Sequence, residues 1–165
     1  MALGKDYEGQ DCALARALEI VGERWTPLIL RDAFYGVRRF SDFLAHLGIP
    51  RAVLASRLQA LVEAGVLVKH GHDYELTERG RELWPALHAL ARWGERHFSE
   101  SGPTRLFEHA SCGTRLDPDG TCPVCGGPVP PESVRMRPAP GRPVRDDPVS
   151  RALAEPRRLL EPVRR

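Results

Sequence analysis

Residues 38–74 constrain the fold most, because three kinds of local structure follow one another there in a fixed order. Ser41 is a predicted N-cap, and apolar residues recur behind it at helical spacing until a glycine stops the helix. Pro50 fits the first turn of a second helix, whose apolar stripe ends at Gly65. Two short runs of β-formers follow, joined by a turn at Gly71-His72. This order predicts a winged helix-turn-helix, in which the second helix enters the major groove of DNA.

The charge of this stretch supports contact with nucleic acid. Between Gly36 and His72 there are five lysines and arginines but only two acids, whereas the first hundred residues carry thirteen basic and fourteen acidic residues. Positive charge is therefore concentrated where a phosphate backbone would lie. The alternative interpretation of the pattern is a pair of core helices that makes no contact with DNA.

Eight side chains are candidate DNA contacts. Those on the second helix that fall off its apolar stripe are predicted to enter the groove, since arginine can pair bidentately with a guanine edge: Arg51, Ser56 and Arg57. Those before the first helix and on the wing are predicted to meet phosphate or the minor groove: Arg38, Arg39, Lys69, His70 and His72. The alternative for each is a solvated charge.

Length and composition indicate a soluble globular protein. The chain has 165 residues, of which 42% are hydrophobic and 28% charged, enough for one ordinary domain with a small appendage. No apolar run approaches the roughly 20 residues needed to cross a bilayer, and the first twelve residues lack the apolar segment of a signal peptide. We therefore expect a cytoplasmic protein without membrane contact.

Composition changes near residue 102, since twelve of the fifteen prolines lie after it. We predict a helical domain over residues 1–102, a small module over 103–137 and a tail over 138–165. The tail is rich in proline and arginine and poor in apolar residues, so it is predicted to be largely disordered, with at most a turn or two of helix near residues 150–155. Such an arm adds salt-dependent affinity for DNA or only keeps the chain soluble.

Two helices before the helix-turn-helix and one after it complete the predicted domain. Asp11 is the expected cap of the first, which runs from residue 12 to about 21, and the second covers 25–34. The last is long, from about 81 to 98, with Pro85 near its start. A helix of that length has an apolar face to spare, which predicts pairing with a second copy. A two-fold dimer presents two recognition helices to half-sites about 34 Å apart.

The predicted module carries a metal-ligand pattern. His109 and Cys112 form one x-x spaced pair, Cys122 and Cys125 form another, and glycine follows the second residue of each. Such pairs resemble the knuckles of a zinc ribbon, and a Cys3His set closes a tetrahedral structural zinc site. Two alternatives remain: a thioredoxin-like dithiol at Cys122 and Cys125, or a ribbon without metal.

Several sequence elements occur in an order that resembles the HxlR family of bacterial winged-helix transcription regulators, over about residues 7–100. They are a cysteine at the head of the first helix, GERWTPLIL, RFSDF and the leucine-arginine pattern ending in glycine: Cys12, Gly22 to Leu30, Arg39 to Phe43, and Leu54 to Leu67. The resemblance implies a homodimer, formed by the first and last helices, that binds an inverted repeat in double-stranded DNA. The recognition helix opens Ile-Pro-Arg-Ala at residues 49–52, where relatives commonly carry a more polar turn, so the operator sequence does not carry over.

The sequence suggests two ways in which DNA binding could be gated. Cys12 lies near a helix N-terminus, which favours the thiolate, and in some relatives the equivalent cysteine senses electrophiles or oxidants. An inert, packed Cys12 is the alternative. A small ligand between the core and the terminal helices is the other gate, with Trp25, Tyr35 and Trp84 as its markers.

Together these features predict a mainly α (α+β) fold: a winged helix-turn-helix with a flanking dimerisation helix and a zinc-ribbon-like C-terminal module. The predicted function is transcriptional regulation. No paired carboxylates, phosphate loop or activated nucleophile indicates an enzyme. The alternative function is a protein-interaction adaptor that uses the zinc module and the basic tail and binds DNA weakly or without sequence preference.

Overall fold

The computed structural model describes residues 6–164, in which helices form the first half and two small sheets flank the later helices. The elements of the first half are α1 (Ala13–Val21), α2 (Thr26–Phe34), α3 (Phe40–Leu47), α4 (Arg51–Glu63), β1 (Leu67–His70) and β2 (Asp73–Leu76). The later elements are α5 (Glu78–Arg81), α6 (Trp84–Phe98), β3 (Arg105–His109), a 3-10 turn (Pro131–Ser133), β4 (Val134–Pro138), α7 (Pro148–Ala152) and β5 (Arg157–Arg158). The winged helix-turn-helix predicted from the sequence is confirmed.

Glycine and proline set the boundaries of the helix-turn-helix. Gly48 ends α3 in the left-handed region with φ +62°, and Gly65 follows α4 with φ +69°, conformations that residues with a Cβ rarely adopt. Pro50 immediately precedes the first residue of α4, so its fixed φ leads the chain into the helix. These glycines separate the two helices and direct the chain from α4 into the wing.

Two predicted N-caps are wrong. Helix α3 begins at Phe40, not behind Ser41, because Arg39 is extended and forms a β-bridge with Asp73, so the chain turns into helix directly after it. Helix α1 is preceded by Cys12, which is extended with φ −146°, and not by Asp11. Neither Arg39 nor Cys12 makes a side-chain capping bond.

The wing is an antiparallel hairpin of β1 and β2. Leu67 pairs with Leu76, and His70 pairs with Asp73 across a two-residue turn in which Gly71 has φ +59°. An isolated antiparallel bridge joins Arg39 to Asp73 at the edge of the hairpin. The base of the wing is therefore joined by backbone pairing to the start of α3.

The long helix begins a few residues later than its pattern indicates. Thr77 caps the short α5 by accepting a hydrogen bond from Gly80 N–H at 3.1 Å, and α6 then starts at Trp84. Pro85 lies in the first turn of α6, where its missing N–H leaves no hydrogen bond unmade. Within residues 6–164, no helix combines the length and apolar character that crossing a membrane requires.

A three-stranded antiparallel sheet, in the order β3-β4-β5, forms the C-terminal part of the chain. Arg105 pairs with Pro138 and His109 with Val134. Of the four predicted metal ligands, His109 is the last residue of β3, and the three cysteines lie in the long loop between β3 and β4. Side chains of this sheet, including Val134 and Met136, belong to the same hydrophobic core as Phe34 and Phe43 of the helices. The module therefore packs on the winged helix through a shared core.

The prediction of a largely disordered tail is wrong. Helix α7 packs on α3, and Val149, Leu153 and Leu159 are buried. The chain then runs back along the end of α2, where Val163 N–H donates to the carbonyl of Gly36 at 2.9 Å. These few apolar residues cannot form a core of their own, but they complete one that the helices have already built.

Candidate functional site

The recognition helix α4 offers its outer face to solvent. Arg51 and Ser56 are exposed, and the Arg51 guanidinium lies 5.2 Å from the centre of the Phe40 ring, a cation–π distance. Because Phe40 is the first residue of α3, this contact places the N-termini of the two helices side by side. The exposed N-terminal face of α4 is thus next to the start of α3 and the wing that pairs with it.

Arg57, unlike the other predicted groove residues, is ion-paired and mostly buried. Its guanidinium Nη2 lies 3.0 Å from Glu23 Oε2, and its side chain is only 20% exposed. The helical pattern predicts the face on which Arg57 lies, but it gives no sign of this partner in the α1–α2 connection. Arg57 must leave Glu23 before it can reach a base.

The arginines at the base of the wing are also paired with acids. Arg38 Nη1 lies 2.8 Å from Glu75 Oε1, and Arg39 Nε lies 3.6 Å from Asp73 Oδ1. Arg39 is the more exposed of the two, with 66% of its side chain accessible. Both can exchange a carboxylate for a phosphate, since ion pairs that are at least partly exposed contribute little net stability.

Three predicted residues lie at the outer end of the wing. Lys69, His70 and His72 are all exposed, and the Lys69 ammonium lies 5.4 Å from the Tyr74 ring centre. They are close enough in the hairpin to act on one ligand surface. The structure thus arranges the predicted DNA contacts along α4, the start of α3 and the wing.

One basic residue near this surface was missed by the sequence reasoning. Arg164 lines a cleft of about 310 Å³ together with Arg38, Arg39, Asp42 and Asp73. It is placed there because Leu160 N–H donates to Phe34 O at 2.8 Å and Val163 N–H to Gly36 O. The arginine content of the tail was the only available signal, since a disordered tail has no fixed position.

The four predicted metal ligands converge on one point. One ligand atom from each of His109, Cys112, Cys122 and Cys125 lies within 4.8 Å of the others. Cys112 Sγ is 3.6 Å from both Cys122 Sγ and His109 Nδ1. Tetrahedral sites with metal–sulfur bonds of about 2.3 Å separate their sulfurs by roughly 3.8 Å, so this donor set fits a single tetrahedral ion such as zinc. The cluster can therefore hold a metal.

Two tight turns bring the ligands together. Gly113 N–H donates to His109 O at 2.8 Å, and Gly126 N–H donates to Cys122 O at 2.9 Å. Both glycines have positive φ, near 71–72°. Cys125 N–H also points at Cys122 Sγ at 3.4 Å, as in a knuckle whose backbone donates to metal-bound sulfur. No helix begins at Cys122 or Cys125 among these described residues, so the helix N-terminus that activates a thioredoxin-like dithiol is absent here.

The thiols of the cluster affect one another's ionisation. Hydrogen bonds from the Thr114 side chain and backbone lower the pKa of Cys112 to about 6. Hydrogen bonding to Cys112 and then to Cys122 raises the pKa of Cys125 to about 11. Three thiolates this close repel one another without a cation between them, and a bound metal removes that repulsion.

Cys12 stands apart from the cluster. It directly precedes α1 and is exposed. All four cysteines lie within the described residues and none of them is disulfide-bonded. The position at a helix start matches the one predicted from the sequence, and reagents in solvent can reach this thiol in the single chain.

Helices α1 and α6 leave large apolar side chains in solvent. The most exposed are Phe98 at 74%, Leu14 at 65%, Leu90 at 57% and Trp93 at 53%. Of the residues expected to mark a ligand pocket, Tyr35 and Trp84 line an apolar cavity of about 210 Å³ between α2 and α6, whereas Trp25 does not line it. Trp25 instead packs partly buried against the core.

Comparison with known proteins gives consistent matches. Residues 20–102 match the HxlR-like helix-turn-helix family. The chain is 43% identical over 147 residues to the uncharacterized HTH-type transcriptional regulator Rv3095 of Mycobacterium tuberculosis, covering 84% of this chain and 92% of that protein. It is 30% identical over 106 residues to the uncharacterized HTH-type transcriptional regulator YdeP of Bacillus subtilis, covering 58% of this chain and 83% of YdeP.

A solved structure extends the similarity to the fold. The crystal structure of PA1607, a candidate transcription factor, aligns with a TM-score of 0.61 and 34% identity, covering 85% of this chain and 98% of that one. The aligned part of this chain is longer than residues 1–102, the predicted helical domain. The similarity to Rv3095 and to PA1607 therefore includes part of the C-terminal segment.

Proposed function

This chain belongs to the HxlR-type family of helix-turn-helix transcriptional regulators, and from that premise we propose that it acts as a homodimer on an inverted repeat in double-stranded DNA. The family is one of regulators and not of enzymes. The observation that carries the proposal is the exposed N-terminal face of α4, with Arg51 beside the start of α3 and the wing. A helix presented in this way fits the major groove while the wing reaches the flanking backbone.

The second copy is proposed to cover the apolar faces of α1 and α6. Leu14 on α1 and Leu90, Trp93 and Phe98 on α6 are more than half exposed in the single chain. Large apolar surfaces of this kind mark interaction sites in soluble proteins. A two-fold contact through these helices gives each recognition helix a partner one helical turn away along DNA.

The predicted contacts divide by chemistry. Arg51 and Ser56 are assigned to base edges, together with Arg57 once it has left Glu23. The wing residues Lys69, His70 and His72, with Arg38 and Arg39 at its base, are assigned to phosphate or the minor groove. Exchange of the pairs with Glu75 and Asp73 for phosphate makes affinity fall steeply with salt.

The Cys3His cluster is proposed to hold one zinc ion with a structural role. His109 and the three cysteines would occupy all four tetrahedral positions, which leaves none open for a substrate or an activated water. Bound zinc would cross-link the end of β3 to the loop that follows it, and the proposal gives the metal no catalytic role. The protein would act on chromosomal DNA, which places it in the cytoplasm.

Cys12 is proposed as a thiol gate. It is exposed and lies immediately before α1, a helix assigned above to the dimer contact. An electrophile would add bulk to the thiol, and an oxidant such as diamide would join it in a disulfide to a second thiol, that of the other copy or of a small free thiol. Either change would alter how the two recognition helices are spaced. Diamide should release DNA from the wild type but not from Cys12→Ser, and release of both proteins alike would rule this gate out.

Fluorescence anisotropy with the intergenic DNA beside the protein's own gene tests the proposal as a whole. We expect two chains to bind each site, with specific affinity on the order of a thousandfold or more above that for a scrambled duplex. Trp93→Glu should give monomers and lose specific binding, while Arg115→Ala, on the loop of the C-terminal module, should do neither. Equal affinity for both duplexes at every salt concentration would contradict sequence-specific regulation.

A further inference from the structure

A cavity of about 380 Å³ lies where the folded tail meets the helix-turn-helix; it shares no lining residue with the metal cluster, and Tyr35 is its one lining residue in common with the α2–α6 cavity. Arg105 of β3, Arg142 and Arg145 of the loop before α7, and Ser150 of α7 line it from the C-terminal side. Tyr35 after α2 and His46 in the last turn of α3 line it from the other side. Residues from five separate parts of the chain thus surround one space.

The cavity carries positive charge without acids among its lining residues. Arg105 donates to the carbonyl of Leu153, and Arg142 Nε donates to the carbonyl of Pro103 at 3.0 Å. Arg145 has only a loose contact, 3.8 Å, with the carboxylate of Asp147, which itself caps α7. Backbone carbonyls satisfy hydrogen bonds but do not neutralise a guanidinium, so among the described residues the three guanidinium groups that line this region have one ion-pair partner, Asp147.

Burial makes this arrangement costly for Arg105. Partial removal from water lowers the pKa of its guanidinium, which means that the charged form is less well solvated there than in water. Within residues 6–164 no carboxylate lies within ion-pair distance of Arg105, and Asp32 attracts its charge only from farther away. An anion in the cavity would supply the missing counter-charge.

The remaining walls are apolar. Val144, Leu153 and Ala154 contribute aliphatic surface, and Pro138 and Pro143 add rigid rings. A hydrated inorganic ion gains little from such walls, whereas the hydrocarbon part of an organic molecule loses contact with water there. Arginines on one side of the cavity and apolar walls on the other favour a ligand that has both an anionic group and an apolar part.

We propose that this cavity binds a small organic anion, a carboxylate carried on an apolar body. The carboxylate takes the arginine side of the cavity, where Arg105 and Arg145 can donate charge-assisted hydrogen bonds, and the apolar body lies against Leu153 and the prolines. Tyr35 offers a hydroxyl group that can orient it, whereas the Ser150 hydroxyl already donates to Asp147 Oδ2.

The site also touches the helix that supports DNA recognition. His46 Nδ1 lies 2.6 Å from Oδ2 of the buried Asp32, whose other oxygen accepts two hydrogen bonds from Arg31. Helix α7, which bears Ser150, packs directly on α3. An occupant therefore contacts the tail and α3 together and changes how firmly they are joined. This effector role, unlike the binding itself, rests on the function proposed above.

Thermal unfolding of the full-length metal-loaded protein, without DNA, tests the binding. The probes are benzoate, phenylacetate, 1-naphthoate and octanoate, each beside its neutral amide, with inorganic phosphate as the anion that lacks an apolar body. At about ten times its dissociation constant a ligand raises the melting temperature by roughly 3–6 °C for a chain of this size. At least one acid should do so while its amide does not.

Two variants and a control locate the effect. Arg145→Gln and Arg105→Gln should each weaken the responding acid about tenfold. Arg151→Gln should leave the response unchanged, because Arg151 is an exposed arginine of α7 that pairs with Asp146 and does not line the cavity. Arg145 is itself exposed, so its replacement leaves the fold intact even where that of Arg105 does not.

Three results would overturn the proposal: no acid exceeding its amide, an unchanged response in Arg145→Gln, or an equal response to inorganic phosphate. An acid that binds should also change operator affinity in the wild type and not in Arg145→Gln. Unchanged operator affinity would refute the effector role and leave the binding site standing. Because the melting assay contains no DNA, its failure and a failure of DNA binding are separate results.

Discussion

Leu153→Ala tests whether the tail belongs to the folded core. Leu153 follows α7, is completely buried and joins the hydrophobic core that includes residues of the winged helix. Removing a buried leucine side chain to alanine costs about 2–5 kcal/mol, with the larger values where the cavity cannot collapse. For a chain of this size each kcal/mol lowers the melting temperature by roughly 2–4 °C, so a drop of about 4–20 °C is expected.

Urea unfolding of the full-length protein measures the free energy directly, and Val144→Ala is the matched control. Val144 also lies in the tail but is 53% exposed, so its change should stay within about 0.5 kcal/mol. Trypsin provides a second readout, since the tail contains several arginines that only an undocked tail presents for cleavage. Equal, negligible effects of both substitutions would refute the docked tail.

Three further predictions concern other parts of the fold. Glu108 is nearly buried, and although burial opposes ionisation, hydrogen bonds from Arg137 and Arg135 outweigh it and lower its pKa. A carboxyl whose pKa is lowered by folding adds stability at pH values above its ordinary pKa of 4.5, and this stability is lost as the pH falls through the lowered pKa. Between pH 5 and 3 the urea midpoint of the wild type should therefore fall more than that of Glu108→Gln; equal falls would be contrary evidence. Removing the metal from the reduced protein with a chelator, or replacing one ligand in Cys122→Ser, should lower the melting temperature. Cys12→Ser, outside the cluster, should leave it unchanged. A melting temperature that a chelator does not change, with no bound zinc by elemental analysis, would exclude the metallated ribbon. Gly36→Ala should destabilise the fold and expose the tail to trypsin, because an added Cβ would lie 1.7 Å from Glu161 O. The positive φ of Gly36, +91°, by itself costs about 1–2 kcal/mol for a residue with a Cβ. Full stability of this variant would mean that the tail does not run there.

The winged helix could be predicted because its signals are local. Apolar spacing, Pro50 and the glycines at positions 48 and 65 fix helix boundaries within a few residues, and the wing follows from two short β runs around Gly71. One of the two wrong N-caps, that of α3, has a long-range cause: a bridge to Asp73, more than thirty residues later, holds Arg39 extended. Capping preferences alone do not contain that pairing.

The metal cluster was also predictable, since each half of it is a local turn. Glycine after Cys112 and after Cys125 allows the backbone to curl, and the spacing of each pair predicts the rest. What the spacing does not contain is the approach of the two turns, which depends on the pairing of β3 with β4.

The docking of the tail and the ion pair of Arg57 could not be predicted from local sequence, for the same reason. Val149, Leu153 and Leu159 are too few to predict a core, and their burial depends on a surface made by α2 and α3, more than a hundred residues earlier. Arg57 likewise lies on the predicted face, but its partner Glu23 comes from another helix connection. Contacts between distant segments decide both, and the cavity proposed to bind an organic anion exists only because the tail is docked.

The operator preference of Arg51→Ala tests the central claim most directly. Anisotropy titrations compare the wild type, Arg51→Ala and Arg115→Ala on the operator, on the operator changed at single base pairs, and on a scrambled duplex, across a salt series. If α4 reads DNA, Arg51→Ala should lose about 1–3 kcal/mol at one position of each half-site and discriminate less there, while Arg115→Ala behaves as wild type. Uniform weakening of Arg51→Ala on every duplex, or no weakening at all, would contradict the assignment of α4 as the recognition helix.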